Sequence, residues 1–263
     1  MANLTSLIVT TGYDPVPSVR EQAKNLSIQF GILFVERERK SLDILRLCYK
    51  TDYILVFTTQ GPILQTPAGK YFFHLSMAEL RIKHLQNGKH DHMIEAMNLQ
   101  AGMTVLDCTL GLATDAIVAS YVVGAAGKVT GLESSFMAFL ISHLGLREFQ
   151  HPSAAITEAM RRIEVVETDS YSYLQRQPDD SYDIVYFDPM FRQPVYSSSN
   201  IKPIRSFADN SPLSEKMINE AFRVARQRVV CKEKNGSSEF DRLGFSVRRG
   251  GKNSAIQYGI LEI

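Results

Sequence analysis

After Thr104 the chain alternates short apolar runs with helix-periodic segments, and this alternation restricts it to a mostly parallel sheet with helices on both faces. The runs span 105–107, 128–133, 163–167, 183–188 and 228–232, and the helical segments between them span about 116–123, 136–149, 153–161 and 213–226. The end of the chain breaks the pattern. Segments 245–248 and 256–263 flank Arg249-Gly250-Gly251-Lys252-Asn253, a turn that predicts an antiparallel hairpin closing the parallel sheet.

A smaller region precedes this one. An apolar run at 7–10 ends at Thr11-Gly12, a helical segment follows over 16–30, and a second apolar run occupies 32–35, which reads as β-α-β. A short helix at 42–47 and strands at 53–57, 62–64 and 71–73 complete a small α+β domain over residues 1–75. Ser76 and Glu79 are spaced as a capping box that starts a linker helix ending at Asn87-Gly88, so the second domain is expected over 76–263.

With 44% hydrophobic residues in 263, both parts have enough apolar material to bury a core. A net charge of +1 neither demands nor excludes a polyanionic partner. Cys48, Cys108 and Cys231 are odd in number and lack metal-type spacing, which suits a reducing, cytoplasmic compartment. No run approaches the roughly 20 apolar residues that span a bilayer, so no membrane association is expected. His90-Asp91-His92 has no further ligand at useful spacing and reads as a helix start, so no metal is expected. Cys108 has no partnered base and is not expected to be a nucleophile.

The densest chemical signal is Asp107-Cys108-Thr109-Leu110-Gly111-Leu112-Ala113-Thr114-Asp115, a strand end followed by a glycine turn that opens a helix. Such a turn lets backbone N–H groups approach a ligand. Glu133 ends the next strand, where a carboxylate can accept both hydroxyls of a ribose. A dinucleotide site shares this logic, but the G-x-G-x-x-G fingerprint is missing, and an acid at 107 would repel a pyrophosphate. The same acid suits the cationic amino-acid end of S-adenosylmethionine. Asp169 and Ser170 follow the third strand and are candidates for the adenine, or else caps of a short helix. The fourth strand runs into Asp188-Pro189-Met190-Phe191. Proline ends the ladder and leaves acceptors facing the site, while the aromatic can stack on a planar base or simply close the core.

At these residues the chain resembles class I S-adenosylmethionine-dependent methyltransferases, and within them the bacterial small-subunit ribosomal RNA guanine-amine methyltransferase J family and its uncharacterised relatives. The likeness runs from about Ile94 to Lys232. It is carried by the 107–116 loop, by Leu132-Glu133-Ser134-Ser135, by Phe187-Asp188-Pro189-Met190-Phe191 and by Arg228-Val229-Val230-Cys231-Lys232. The resemblance implies a Rossmann-like class I methyltransferase sheet. It places cofactor contacts on Thr114, Asp115, Glu133, Ser134, Asp169, Ser170 and Asp188, which join Asp107, Thr109 and Gly111 of the loop. Asp188, Pro189 and Phe191 are the catalytic candidates. Three departures stand out: Ala113 replaces the family's glycine, Thr114 its usual arginine, and Arg192-Gln193-Pro194 its proline-histidine-lysine run.

The resemblance implies S-adenosylmethionine as cofactor and methylation of an exocyclic amine in RNA, with guanine of ribosomal RNA favoured. A small-molecule or protein acceptor, or a noncatalytic RNA-binding or regulatory protein that keeps the cofactor fold, are the alternatives. The oligomeric state is open, a homodimer included. Between Arg223 and Lys252 nine Lys and Arg face three acids, which could track a phosphate backbone or mark a solvated face; Arg37, Arg39, Lys40, Lys202 and Arg205 are weaker candidates.

Overall fold

The computed structural model describes residues 7–75, 77–189, 211–251 and 254–263. The described residues fall into two compact units that divide between His74 and Leu75.

In the first unit, β1 (Leu7–Thr11), α1 (Pro17–Phe30), β2 (Leu33–Phe34), α2 (Leu42–Tyr49) and β3 (Tyr53–Thr58) form a parallel β-α-β-α-β series. The antiparallel strands β4 (Gly61–Thr66) and β5 (Gly69–Phe72) extend it to a sheet of order β2-β1-β3-β4-β5. Its core packs Ile8, Val35, Leu45, Ile54 and Val56. Pro17 at the first helical position starts α1 without loss of a needed N–H, and Gly31 in the left-handed conformation ends it.

The second unit opens with α3 (Met77–Gln86) and α4 (His92–Met97), followed by β6 (Thr104–Asp107), α5 (Thr114–Val123), β7 (Lys128–Glu133), α6 (Phe136–Glu148), α7 (Ala154–Arg161) and β8 (Ile163–Glu167). It continues through α8 (Ser170–Gln175), β9 (Tyr182–Phe187), α9 (Glu215–Val224), β10 (Ala225–Lys234), α10 (Glu239–Arg242), β11 (Val247–Arg249) and β12 (Ile256–Glu262). Ser76 itself lies outside the described residues, as does part of the predicted hairpin turn. Asp91 accepts from the N–H groups of Met93 and Ile94 and so caps α4, the helix-start role read for His90-Asp91-His92.

The strand order is β11-β12-β10-β9-β6-β7-β8, parallel from β10 to β8, with β12 antiparallel to both β10 and β11. The chain runs outward through β6, β7 and β8, then returns to the other side of β6 with β9. The switch therefore falls between β6 and β9, the place where open α/β sheets bind ligands at their carboxyl ends. Of the two short helices, α10 was not anticipated, and α8 is the short helix that Asp169 and Ser170 were candidates to cap. β10 is longer than its apolar run because a register shift between Ala225 and Arg228 lets the strand begin earlier.

One glycine sets the loop after β6 onto the sheet. Gly131 lies in β7, where a Cβ would come within 2.4 Å of Leu110 Cδ1, and the Leu110 N–H donates to the Leu132 carbonyl at 3.0 Å. Gly131→Ala is expected to cost about 1–3 kcal/mol in urea denaturation through overpacking. The cost should shrink in a Leu110→Ala background; an equal cost in both backgrounds would show that Leu110 is not what Gly131 accommodates.

Candidate active site

Asp107 ends β6 and is 2% exposed. Its Oδ1 accepts from the Thr109 N–H at 3.0 Å and the Thr109 hydroxyl at 3.4 Å, while Thr109 Oγ1 accepts from the Asp188 N–H at 2.6 Å. One threonine thus ties the ends of the two strands that flank the switch. Burial, with only partial relief from the Thr109 N–H, pushes the Asp107 carboxyl up to about 8.

Glu133, at the end of β7, accepts from the Gly111 N–H at 3.1 Å through Oε2 and from the Ser135 N–H at 2.9 Å through Oε1. Ser142 donates to the Gly111 carbonyl, which fixes the other side of the same turn. Gly111 is left-handed at φ +51°, and a Cβ there would meet no atom within 4 Å. Ala113, the N-cap of α5, is also left-handed at φ 61°, a conformation more costly for alanine than for the family's glycine. Ser134 follows Glu133 directly. Asp169 caps α8 by accepting from the Ser172 N–H at 2.8 Å, and Ser170 Oγ donates to the Cys108 carbonyl, which ties the start of α8 to the loop after β6.

Asp115 sits in the first turn of α5 and is buried. Its Oδ2 accepts from Lys232 Nζ at 3.0 Å and the Tyr186 hydroxyl at 2.8 Å, and its Oδ1 pairs with Arg81. Arg81 also forks onto Asp91 at 2.7 and 2.9 Å. Lys232, near the end of β10, reaches Asp188 Oδ2 at 2.8 Å as well. The result is a chain of alternating charge, Asp91, Arg81, Asp115, Lys232, Asp188. Burial works against ionisation throughout, but Lys232 and Arg81 hold the Asp115 carboxyl well below the usual range. Asp188 moves the other way: burial and the Asp115 charge raise it against the pull of Lys232. Cys108 is buried, and burial together with the Asp107 charge pushes its thiol well up, which disfavours the thiolate.

The structure brings Asp107, Thr109, Gly111, Glu133, Ser134, Asp169, Ser170, Asp188 and Pro189 to the carboxyl ends of β6, β7, β8 and β9. The side chain of Asp115 is instead wholly engaged by its cations and Tyr186, and Thr114 is the first residue of α5. Phe191 lies outside the described residues. Sequence reasoning missed Arg81 and the second role of Lys232. Their signal was Asp115 itself, an acid at the start of the apolar stretch Ala116-Ile117-Val118-Ala119 that has to find a cation. The basic run after Arg223 also looks different in three dimensions. Arg223, Arg226, Arg228, Lys232, Arg242 and Arg248 all form ion pairs with acids of this unit, so most of its surplus charge is compensated locally.

This order of strands, with acids at the ends of adjacent parallel strands, is the fold of class I methyltransferases. A family model described as "Putative SAM-dependent methyltransferase" matches residues 65–254, and the chain belongs to that family. It is 36% identical over 255 residues to the uncharacterized protein YpiP of Bacillus subtilis, covering 97% of this chain and 99% of that one. It is 25% identical over 241 residues to the ribosomal RNA small subunit methyltransferase J of Cellvibrio japonicus, covering 86% and 85% of the two chains. Among solved structures, a SAM-dependent methyltransferase from Neisseria gonorrhoeae shares the fold with a TM-score of 0.64 at 16% identity, over 97% of this chain and 95% of that one. The protein is an S-adenosylmethionine-dependent methyltransferase. No helix among the described residues is long and apolar enough to cross a membrane.

The residues present fit the cofactor. The space over Gly111 is open for a ligand, the Glu133 carboxylate beside it is of the type that accepts a ribose diol, and Asp107 offers an acid to a cationic group.

Asp107 also yields a test of burial. An unfolded aspartate ionises near about 4, whereas this one does so at about 8, so the folded state keeps a proton that the unfolded chain has lost. Its contribution to stability falls as pH rises through that window and levels off above it. Asp107→Asn, unable to ionise, should gain stability relative to wild type progressively across the same window in denaturant titrations. A difference that does not change with pH would mean that the carboxyl is not desolvated.

Proposed function

We propose that the protein methylates an exocyclic amine of a base in RNA, with guanine of the small-subunit ribosomal RNA as the favoured acceptor. The observation that carries this reading is Asp188 immediately after β9, with Oδ2 anchored on Lys232 and Pro189 ending the ladder. The relatives named ribosomal RNA small subunit methyltransferase J support the choice of RNA.

When bound, S-adenosylmethionine supplies a methyl group on a positively charged sulfur, an electrophile that needs an aligned nucleophile above all. The protein's part is alignment and control of one proton. An aryl amine presents two N–H groups, one to Asp188 Oδ1 and the other to the Pro189 carbonyl, which directs its lone pair and stabilises the positive charge that develops on nitrogen. Because Lys232 takes Oδ2, the carboxylate cannot rotate freely. The proton released as the amine is alkylated passes to Asp188, whose raised pKa suits an acceptor that must give it up again to water. A base in structured RNA has to leave its stack to reach these groups, and Phe191 is the platform in this reading.

Incubating the purified protein with methyl-labelled S-adenosylmethionine and small-subunit ribosomal RNA should place label on a guanine amine. Label on a metabolite or a protein with none on RNA would overturn the acceptor. Asp188→Ala should abolish turnover while weakening cofactor binding less than Glu133→Ala does; equal effects on both measurements would undercut the division of roles. The acid limb of the pH profile reports ionisation of Asp188. Lys232→Met should move that limb to higher pH and Asp115→Asn to lower pH, and shifts in the same direction would separate Asp188 from the reaction.

A further inference from the structure

The first unit holds a cleft of about 420 Å³ at the carboxyl ends of β1 and β2, lined by residues that no role in methyl transfer employs. It lies between the loop that follows β1 and the loop that follows β2, two adjacent parallel strands. From the geometry we infer that this cleft is a second binding site, one that takes a nucleotide of single-stranded RNA through a Tyr13–Arg37 stack and the cationic side chain of Arg39.

Tyr13 is 53% exposed, and the Arg37 guanidinium lies 4.0 Å from its ring centroid. Arg37 is held there by backbone carbonyls, those of Lys40 at 3.1 Å and Thr11 at 3.3 Å. Carbonyls orient a guanidinium without cancelling its charge. Among the described residues no carboxylate pairs with Arg37 or Arg39, whereas Glu36 is matched by Arg20 and Lys24, and Glu38 by Lys40. The lining itself carries three cations, Arg20, Arg37 and Arg39, and three carboxylates, Asp14, Glu36 and Glu38; because Lys24 and Lys40 from outside the lining also pair with Glu36 and Glu38, Arg37 and Arg39 stand beside an exposed aromatic with Asp14 as the one lining acid left unmatched. This is the pairing that single strands select, a π-face for the base and cations for the phosphate.

The cleft is also built at a conformational cost. Asp14, Glu38 and Arg39 are left-handed at φ 47°, 46° and 62°, three of the seven such non-glycine residues among those described. Thr10 Oγ1 donates to the Val35 carbonyl at 2.8 Å and so ties the floor of one loop to the other. The inference rests on the RNA reading for its biological partner, but not for its chemistry.

The test uses the full-length protein and a fluorescein-labelled single-stranded oligoadenylate, with methyl transfer to small-subunit ribosomal RNA measured alongside. Arg37→Ala/Arg39→Ala and Tyr13→Ala should each weaken oligonucleotide binding at least tenfold, while Tyr13→Phe, which keeps the ring, binds as wild type. The double variant should also flatten the dependence of log K on log salt by about 0.7 for each phosphate that is no longer neutralised. Cofactor affinity should be unchanged in all three, which controls for folding. Arg39→Ala alone, on an exposed side chain, gives a second arm that leaves the Tyr13–Arg37 stack in place and should flatten the salt dependence by the share of a single phosphate. Wild-type affinity in the double variant and in Tyr13→Ala overturns the site, as does failure of the wild type to bind the oligonucleotide. Binding that depends on Tyr13 and Arg37 with no label reaching RNA would instead keep the cleft and reject RNA as the methyl acceptor.

Discussion

Three segments distant in sequence meet at the Asp115 carboxylate: Arg81 from α3, Tyr186 from β9 and Lys232 from β10. A buried carboxylate without partners costs several kcal/mol, so α5 can begin where it does only if both cations are delivered to it. That requirement fixes α3 against α5 and fixes the end of β10 beside the end of β9. It also sets the electrostatics of Asp188, which shares Lys232 with a stronger competitor. Burial first and the Asp115 charge second raise the carboxyl of Asp188 against one cation, whereas Asp115, also desolvated, is lowered by two, Lys232 and Arg81.

The cofactor side is organised by a different device. Glu133 holds Gly111 and Ser135 by their N–H groups, so the carboxylate that suits a ribose also shapes the loop around it. Asp107 and Asp188 are joined through Thr109, whose hydroxyl sits between them. Ligand contacts and loop geometry therefore reside in the same side chains, and a substitution at any one of them disturbs both. Ala113 shows how far the loop tolerates change: its methyl group is buried in a backbone conformation that favours glycine, without disrupting the start of α5.

Much of this was legible in the sequence because buried parallel strands advertise themselves. The apolar runs at 105–107, 128–133, 183–188 and 228–232 are largely buried, the run at 163–167 is an edge strand with Glu164 and Glu167 exposed, and each emerges as a strand. What escaped notice was short or tertiary. The helix α10 spans four residues, too few to establish a period, and α8, with six, was legible only through its cap at Asp169. Arg81 was hidden inside an ordinary amphipathic linker helix, where nothing local distinguishes a cation bound for a buried acid from one bound for water. Counting charges along 223–252 suggested a basic surface because acids such as Asp179, Asp183 and Glu262, which neutralise it, lie elsewhere in the chain.

The three cysteines have distinct environments, with a practical consequence. Cys108 and Cys231 are buried in the sheet core and their thiols resist ionisation, whereas Cys48 is exposed on α2 of the first unit. A maleimide dye applied to the native protein therefore has one accessible target. The unaltered chain carries its own single attachment point for a fluorescent reporter, placed in the unit that holds the second cleft and on a different unit from the methyltransferase centre.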